Sequence, residues 1–291
     1  MTDHGFTLSP QPPMPVAVAE AYTNDVLMAS RGGWPGVREM RDQRFGPEPW
    51  QVFDVFMPDG PAPDGGRDIV IFIHGGGWSN GWKEMNGFMA PGITATDAIL
   101  IAPTHRLTPH VRYPAMLHDV LDDVAAVRAR AADYGGNPDR IIMAGHSAGG
   151  HLALLAALRT DLWADHGLPP GAIAACAPMS AALQLHHPDP VPGSLEARVY
   201  TDLLADPADD KDASPMNWLE NLDMPLFLSW GDRDMPRVRS SNPEALAKLE
   251  AAGKPATHAV YPTDHFETHQ QLIDPDHDWY ASVTRLRKDI P

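Results

Sequence analysis

The segment RIIMAGHSAGGHLALLAAL (residues 140–158) joins a short apolar run to a helix-forming run through a very tight turn. RIIMA has the length and apolar character of a buried strand, and AGGHLALLAAL is rich in strong helix formers. Between them, Gly145 to Gly149 matches the pattern Gly-x-Ser-x-Gly. In this strand–turn–helix context, the pattern indicates that Ser147 lies at the apex of the turn, with its Oγ exposed at the edge of a sheet.

Similar short apolar runs recur along the chain and predict further strands. An alternating run at 50–58 predicts an early strand, and runs apolar throughout follow at 68–74, 98–104, 140–146, 172–180, 225–231 and 256–262. Several of these predicted strands are separated by helical patterns, at 113–136, after Ser147 and at 242–253. In the third pattern, Asn242 is the expected N-cap, Pro243 lies in the first turn and Gly253 follows the end of the helix. This alternation predicts an α/β protein with a mostly parallel central sheet flanked by helices.

Two segments interrupt the alternation within what we expect to be a single domain over residues 1–291. Residues 1–45 begin with a proline-rich stretch and predict an N-terminal arm that forms part of a cap. Residues 183–216 are long, proline-rich and acidic, and they lie between two predicted strands. We expect them to be an insertion over the carboxyl edge of the sheet that completes a small cap.

The composition narrows the possible partners. The chain has 291 residues, 43% of them hydrophobic, and a formal net charge of −16, so its surface would repel nucleic acids and anionic membranes. A single cysteine, Cys176, excludes an internal disulfide and a cysteine-based zinc site. The N-terminus lacks a basic start followed by an apolar stretch, so we expect no secretory signal and a cytoplasmic location.

Ser147 requires a general base and an acid, and the later strands provide candidates for both. The base should follow the last strand, where AVYPTDHFETH (259–269) places His265. The acid should follow the preceding strand, where PLFLSWGDRDMP (225–236) offers Asp232 and Asp234. We favour Asp234, because three residues after Gly231 the loop can turn toward His265, and Asp232 remains the alternative.

The glycine run in IFIHGGGW (71–78) follows a predicted strand beside Ser147. Attack on a carbonyl places negative charge on its oxygen, and backbone N–H groups aimed at that oxygen lower the barrier. Glycines let the backbone approach closely, because they have no Cβ. We therefore expect the N–H groups of Gly76, Gly77 and Ala148 to form an oxyanion hole, and His74 to fasten the loop.

Four motifs together resemble the α/β-hydrolase superfamily, within it the hormone-sensitive-lipase-like esterases and the kynurenine formamidase-like branch. They are HGGGW (74–78), GHSAGGH (145–151), GDRD (231–234) and DHF (264–266). AEAYTNDV (19–26) and ADYGGNPDRIIMAGHSAGGHLA (132–153) are similar to the formamidase-like branch in particular. The resemblance spans about residues 18–285. One departure is His105, at a position where such proteins more often carry tyrosine.

These observations predict a serine hydrolase that cleaves small carboxylic esters through an acyl-enzyme. The alternative is an arylformamidase, since the branch resemblance implies N-formylkynurenine as substrate, and a non-catalytic small-molecule binder on a hydrolase fold is the alternative of another class. The expected mechanism requires no metal and no cofactor, and the expected partner is a small ester or amide substrate. An exposed edge strand or helix could also pair two subunits in a homodimer. The expected pocket side chains are those of Trp78, Trp82, His146, Met235 and Phe266.

Overall fold

The computed structural model describes residues 4–13 and 16–288. Within these ranges one sheet contains eight strands: β1 Val37–Arg44, β2 Val52–Pro58, β3 Arg67–Ile73, β4 Ile99–Pro103, β5 Gly136–His146, β6 Ala175–Met179, β7 Leu226–Gly231 and β8 Ala256–Tyr261. The α-helices are α1 Ala17–Ala29, α2 Ala90–Ala95, α3 Ala115–Arg130, α4 Ala148–Leu158, α5 Leu195–Arg198, α6 Pro236–Ala251, α7 Glu267–Gln270 and α8 Asp278–Lys288. None of these helices combines the length and the hydrophobicity needed to cross a membrane.

The strand order is β1-β2-β4-β3-β5-β6-β7-β8. β2 pairs antiparallel with β1 and β4, and every other pair is parallel. The carboxyl ends of β3, β5, β6, β7 and β8 therefore meet at one edge of the sheet, with β5 near the middle. This confirms the predicted mostly parallel sheet.

Helices cover both faces of the sheet. Along β3, Ile69, Ile71 and Ile73 pack into a cluster with α3, α4 and α6, whereas Val70 and Phe72 pack on the opposite face with α1, α2 and α8. All five side chains are fully buried, because successive strand residues point to opposite faces and both faces are covered. The result is a three-layer sandwich that holds the ends of its central strands rigidly.

The predicted apolar runs all form strands, but the sequence did not reveal β1. Residues 37–44 were expected to belong to the N-terminal arm, whereas they pair with β2 at the edge of the sheet. VREMRDQR has no apolar run, because an edge strand can keep charged side chains toward solvent. The N-terminal arm is thus shorter than predicted.

The predicted start of the helix at Asn242 is wrong. α6 begins at Pro236, where a proline fits the first turn, and it continues through Pro243. The amide of Asn242 donates to the backbone oxygen of Val238 at 3.0 Å and to that of Ala181 at 2.9 Å, so it bonds within the helix rather than at its start. Gly253 follows the helix end with φ +65°, as expected for a C-terminal glycine.

Candidate active site

Ser147 lies at a strained turn between β5 and α4. Its φ is 55° and its ψ −120°, an unfavourable conformation for a residue with a Cβ. A Cβ on Gly149 would clash with the backbone oxygen of Ile73, so only glycine allows α4 to pack this closely against β3. The Ser147 side chain is partly exposed and projects beyond the sheet edge into a cavity.

The structure brings Ser147, His265 and Asp234 together. The Nε2 atom of His265 lies 2.8 Å from Ser147 Oγ, and its Nδ1 atom lies 2.6 Å from Asp234 Oδ1. Asp232, the alternative acid, faces outward with 54% of its side chain exposed and pairs with Arg233. Three loops, after β5, β7 and β8, therefore place a hydroxyl, a carboxylate and an imidazole in one hydrogen-bonded row.

Both oxygens of Asp234 are held by donors. Oδ2 accepts from Ser180 Oγ at 2.5 Å and from the Gly231 N–H at 3.3 Å, and Oδ1 also accepts from the Met235 N–H at 2.7 Å. Burial acts to raise the pKa of Asp234, but the hydrogen bonds, led by that from His265, outweigh it and place the pKa below its ordinary value. The carboxylate is thus ionised and fixed in orientation.

Ser180 is a site residue that sequence reasoning missed. It follows β6 directly and has φ 50°, so a second strained serine lies beside the first. Trp78, with φ 62°, is a third non-glycine residue in this conformation at the site. Strained residues persist where the surrounding structure holds them, and they concentrate at functional sites. The only sequence signal for Ser180 is its position at the end of an apolar run.

Two buried histidines support the loop that carries His265. His146 Nε2 lies 2.8 Å from the backbone oxygen of His265, and its ring stacks on that of His269. Tyr22, from α1, places its hydroxyl 2.6 Å from His269 Nδ1. Burial, together with repulsion from His265, lowers the pKa of His146 to about 3, so this imidazole is neutral. A neutral imidazole can donate to the His265 carbonyl and hold the loop without adding charge.

The glycine loop after β3 lies against Ser147. A Cβ on Gly75 would be 3.3 Å from the Cβ of Ser147, and the N–H groups of Ser79 and Asn80 close the loop on the oxygen of Gly76. Gly76 and Gly77 line the cavity, and within the described ranges their N–H groups donate no hydrogen bond.

Ala148, the third predicted donor, is the first residue of α4. Its N–H belongs to the first turn, where the helix offers no acceptor. All three predicted donors are therefore free to bind an oxygen near Ser147.

His74 fastens this loop as expected from the sequence. Its Nδ1 lies 2.9 Å from the backbone oxygen of Gly75, and its ring stacks on that of His105 with the centroids 4.3 Å apart. Burial lowers the pKa of His74 to about 4 and that of His105 well below its ordinary value, so both rings are neutral. The unusual residue at position 105 thus supports the loop from behind and does not line the cavity.

The cavity that Ser147 faces encloses about 810 Å³ of space, part of which is open to solvent. Four of the predicted pocket residues line it, namely Trp78, His146, Met235 and Phe266. Further parts of the wall come from the start of α1, from the segment predicted as an insertion and from Met85 and Arg237; those of the first two are Val16, Ala19, Tyr22, Leu195, Arg198, Asp202 and Leu203. Most of the lining is apolar, so the cavity suits an alkyl or aryl group.

Trp82 was predicted to line the pocket, and the structure does not place it there. Its indole N–H donates to the backbone oxygen of Ser9 at 3.1 Å, and its side chain packs under the N-terminal residues. Gln11 bonds both the N–H and the oxygen of Gly81, which fixes the same stretch against the loop. Trp82 therefore contacts the N-terminal residues and is not part of the cavity wall.

The sheet order and the serine turn define an α/β-hydrolase. An esterase from Pyrobaculum calidifontis has the same fold, with a TM-score of 0.72 and 19% identity over 94% of this chain and 92% of that chain. Residues 112–283 match the prolyl oligopeptidase family, and the chain belongs to that family. Residues 53–168 also match the BD-FAE family.

Two relatives are similar over most of the chain. Esterase LipQ of Mycobacterium tuberculosis is 29% identical over 74% of this chain and 53% of its own length. Kynurenine formamidase of Danio rerio is 26% identical over 81% of this chain and 77% of its own length. The chain spans about half or less of the length of the mycobacterial esterases that it matches first.

Proposed function

We propose that the protein is a serine hydrolase that cleaves small carboxylic esters through an acyl-enzyme. The observation that carries this proposal is the hydrogen-bonded row Ser147–His265–Asp234, which opens into a largely apolar cavity beside the free N–H groups of Gly76 and Gly77. Similarity to LipQ and to other esterases supports the same activity.

In the first half of the reaction, His265 Nε2 accepts the proton of Ser147 as its Oγ attacks the ester carbonyl carbon. The carbonyl oxygen becomes an oxyanion, which accepts hydrogen bonds from the N–H groups of Gly76, Gly77 and Ala148. Asp234 stabilises the imidazolium and fixes the tautomer of His265. The intermediate then collapses: the carbon–oxygen bond to the alcohol breaks, His265 returns the proton to the alcohol, and the acyl group remains on Ser147.

In the second half, water replaces the alcohol. His265 accepts a proton from the water while the water oxygen attacks the acyl carbon, and the same N–H groups stabilise the second oxyanion. Breaking the bond to Ser147 Oγ releases the carboxylic acid, and the proton on His265 returns to Ser147. The enzyme is then ready for another ester.

An arylformamidase is the second candidate. It is supported by kynurenine formamidase of Danio rerio, whose similarity extends over 81% of this chain. The same residues would serve, since His265 would protonate a departing aryl amine instead of an alcohol. We place ester hydrolysis first, because an alkoxide or phenoxide leaves a tetrahedral intermediate more readily than an amide nitrogen does.

A paired assay tests both candidates. Hydrolysis of p-nitrophenyl butyrate and deformylation of N-formylkynurenine are measured on the purified protein, with Ser147→Ala as the blank. Fast ester turnover with negligible deformylation identifies a carboxylesterase, and efficient deformylation identifies the formamidase. Absence of any Ser147-dependent rate on either compound contradicts the proposal.

The oligomeric state and the cellular location of the protein remain predictions. Formation of a homodimer and a cytoplasmic location were inferred from the sequence alone. Sedimentation analysis of the purified protein tests the first, and fractionation of cells that produce it tests the second.

A further inference from the structure

Arg237 is a charged side chain in the cavity that the proposed mechanism does not use. It is the second residue of α6 and lines the same cavity as Ser147. Its Nε and Nη1 atoms are buried and make no hydrogen bond, and no carboxylate of the described residues lies within salt-bridge distance of its guanidinium. Withdrawing part of a cation from water without giving it a partner is costly, so the placement of Arg237 here requires a reason.

The surroundings of Arg237 hold the guanidinium in place without neutralising it. Its Cζ lies 5.8 Å from the centroid of the Trp78 ring, which supports one face of the guanidinium. Asp234 is engaged by His265 and Ser180, and Glu196 attracts the guanidinium of Arg237 without forming a salt bridge with it. Burial accordingly lowers the pKa of Arg237, as expected for a cation without close compensation.

Arg198 is a useful contrast within the same cavity. It also lines the wall, but its Nε donates to Asp202 at 2.8 Å and its Nη2 donates to Ser79 Oγ at 3.1 Å. Arg198 and Asp202 therefore cancel one another, and Arg237 leaves the cavity with about one unmatched positive charge. In a chain with a net charge of −16, this cation cannot be attributed to a generally basic surface.

We infer that the substrate carries a carboxylate, which binds the guanidinium of Arg237 while its ester carbonyl lies at Ser147. The inference rests on the proposed function, because it names a group on the substrate of the same site. A guanidinium presents parallel N–H groups that match the two oxygens of a carboxylate. One unmatched cation fits a monoanion, and the apolar walls fit the alkyl or aryl spacer between the two groups.

The test compares esters that differ only in a terminal carboxylate. Monophenyl adipate is paired with phenyl hexanoate, and 4-acetoxybenzoate with phenyl acetate, so that the carboxylate lies on the acyl side in one pair and on the leaving-group side in the other. The rate with Ser147→Ala protein is subtracted, because half-esters also hydrolyse unaided. We expect the native protein to prefer at least one anionic ester over its neutral partner by about tenfold or more in kcat/KM.

Arg237→Met should remove this preference, because the methionine keeps the apolar stem and loses the charge. We expect kcat/KM for the preferred anionic ester to fall by about 10- to 100-fold, mainly through KM, and that for its neutral partner to change by less than about threefold. Arg237→Lys should retain part of the preference. Arg239→Met, which removes an exposed arginine from the same helix, should leave both rates unchanged.

The stability of Arg237→Met provides an independent readout. Removal of an unpaired, partly buried charge should leave the melting temperature of the variant equal to or above that of the native protein. A marked loss of melting temperature would instead indicate that Arg237 serves the fold, and would overturn the inference.

Other outcomes separate this inference from the proposed function. Equal turnover of anionic and neutral esters by the native protein, or an equal loss of both in Arg237→Met, contradicts the carboxylate site and leaves the serine mechanism standing. Absence of Ser147-dependent turnover contradicts the mechanism. In that case, calorimetric titration of Ser147→Ala protein with monophenyl adipate still tests the carboxylate site. Binding that is lost when Arg237→Met is added supports the site. Absence of binding, or binding that does not depend on Arg237, refutes it.

Discussion

Asp234 illustrates how one side chain acquires its role from its neighbours. Two aspartates lie two positions apart in GDRD, yet only one is buried and accepts hydrogen bonds from His265, Ser180 and the backbone. The other is largely exposed and pairs with Arg233. The difference in environment, rather than in residue type, determines which carboxylate can orient an imidazole.

Asp234→Asn should lower kcat for p-nitrophenyl butyrate by about 10³- to 10⁴-fold, because an amide favours the wrong tautomer of His265. Asp232→Asn should change kcat by less than about twofold, since its side chain reaches no group of the site. Steady-state kinetics of the two variants provide the comparison. The reverse order of effects would assign the acid to Asp232.

Ser180→Ala should lower kcat by about tenfold, because one donor to the Asp234 carboxylate is lost. Ser229→Ala is the matched control: Ser229 is fully buried in the neighbouring strand, and its Oγ has no hydrogen-bond partner among the described residues. The control should retain native kcat. Equal kcat values for the two variants would show that Ser180 does not act through Asp234.

The loop after β3 shows how the backbone of one element can place N–H groups beside Ser147. Gly76 has φ +128° and Gly77 has φ +60°, and the loop closes on the oxygen of Gly76. A Cβ at Gly76 would clash with the oxygen of Asn80, whereas a Cβ at Gly77 would meet no atom within 4 Å. The two glycines are therefore needed for different reasons. Gly76 is needed because there is no room for a Cβ, and Gly77 is needed only for its left-handed backbone conformation.

Gly76→Ala should lower kcat by about 100-fold or more, because the clash displaces the N–H groups that face Ser147. Gly77→Ala should cost about 1–2 kcal/mol of stability from its left-handed conformation, while retaining kcat within about tenfold. Kinetics and thermal unfolding of both variants test the distinction. Comparable losses of kcat would show that the loop tolerates no side chain at either position.

Most of the fold and the central residues of the site were predictable from the sequence. Hydrophobic patterns identified β2 to β8, and Ser147, Asp234 and His265 follow three of those strands. β1 was missed because VREMRDQR contains no apolar run, whereas β8, at the opposite edge of the sheet, carries such a run although most of its residues are partly or fully exposed. Ser180 and Arg237 were missed for another reason: the first depends on β6 and β7 being neighbours, and the second was hidden by the misplaced start of α6.

Buried histidines make the whole molecule sensitive to acid. His74, His105, His146, His151 and His269 are buried, and burial is the first cause that lowers the pKa of each. They are neutral in the folded state and become protonated more readily in the unfolded chain. Because the unfolded state binds more protons below the ordinary histidine pKa of 6.5, the free energy of unfolding must fall as the pH falls.

We expect the free energy of unfolding to be nearly constant above pH 7 and to decline from about pH 6.5 toward pH 4, by about 1.4 kcal/mol per pH unit for each such histidine. Urea unfolding at pH 7.5, 6.0 and 5.0 measures the slope. His151→Gln should reduce the slope of the free energy of unfolding against pH by up to about 1.4 kcal/mol per pH unit, which corresponds to one proton. His110→Gln, at an exposed position, is the control and should leave the slope unchanged. A pH-independent free energy over this range would contradict the prediction.

The hydrogen bond between Tyr22 and His269 also has a consequence for the biosynthesis of the protein. These two residues are separated by 247 positions, so Tyr22 leaves the ribosome long before its partner has been translated. Until then, α1 can already pack against the segment 83–89, but the Tyr22 hydroxyl lacks its partner and the part of the α1 face that contacts Phe266 and His269 stays exposed. A nascent chain that stalls before His265 therefore lacks the proposed general base and exposes part of one apolar face, and we expect activity to appear only after the residues that follow β8 have been synthesised.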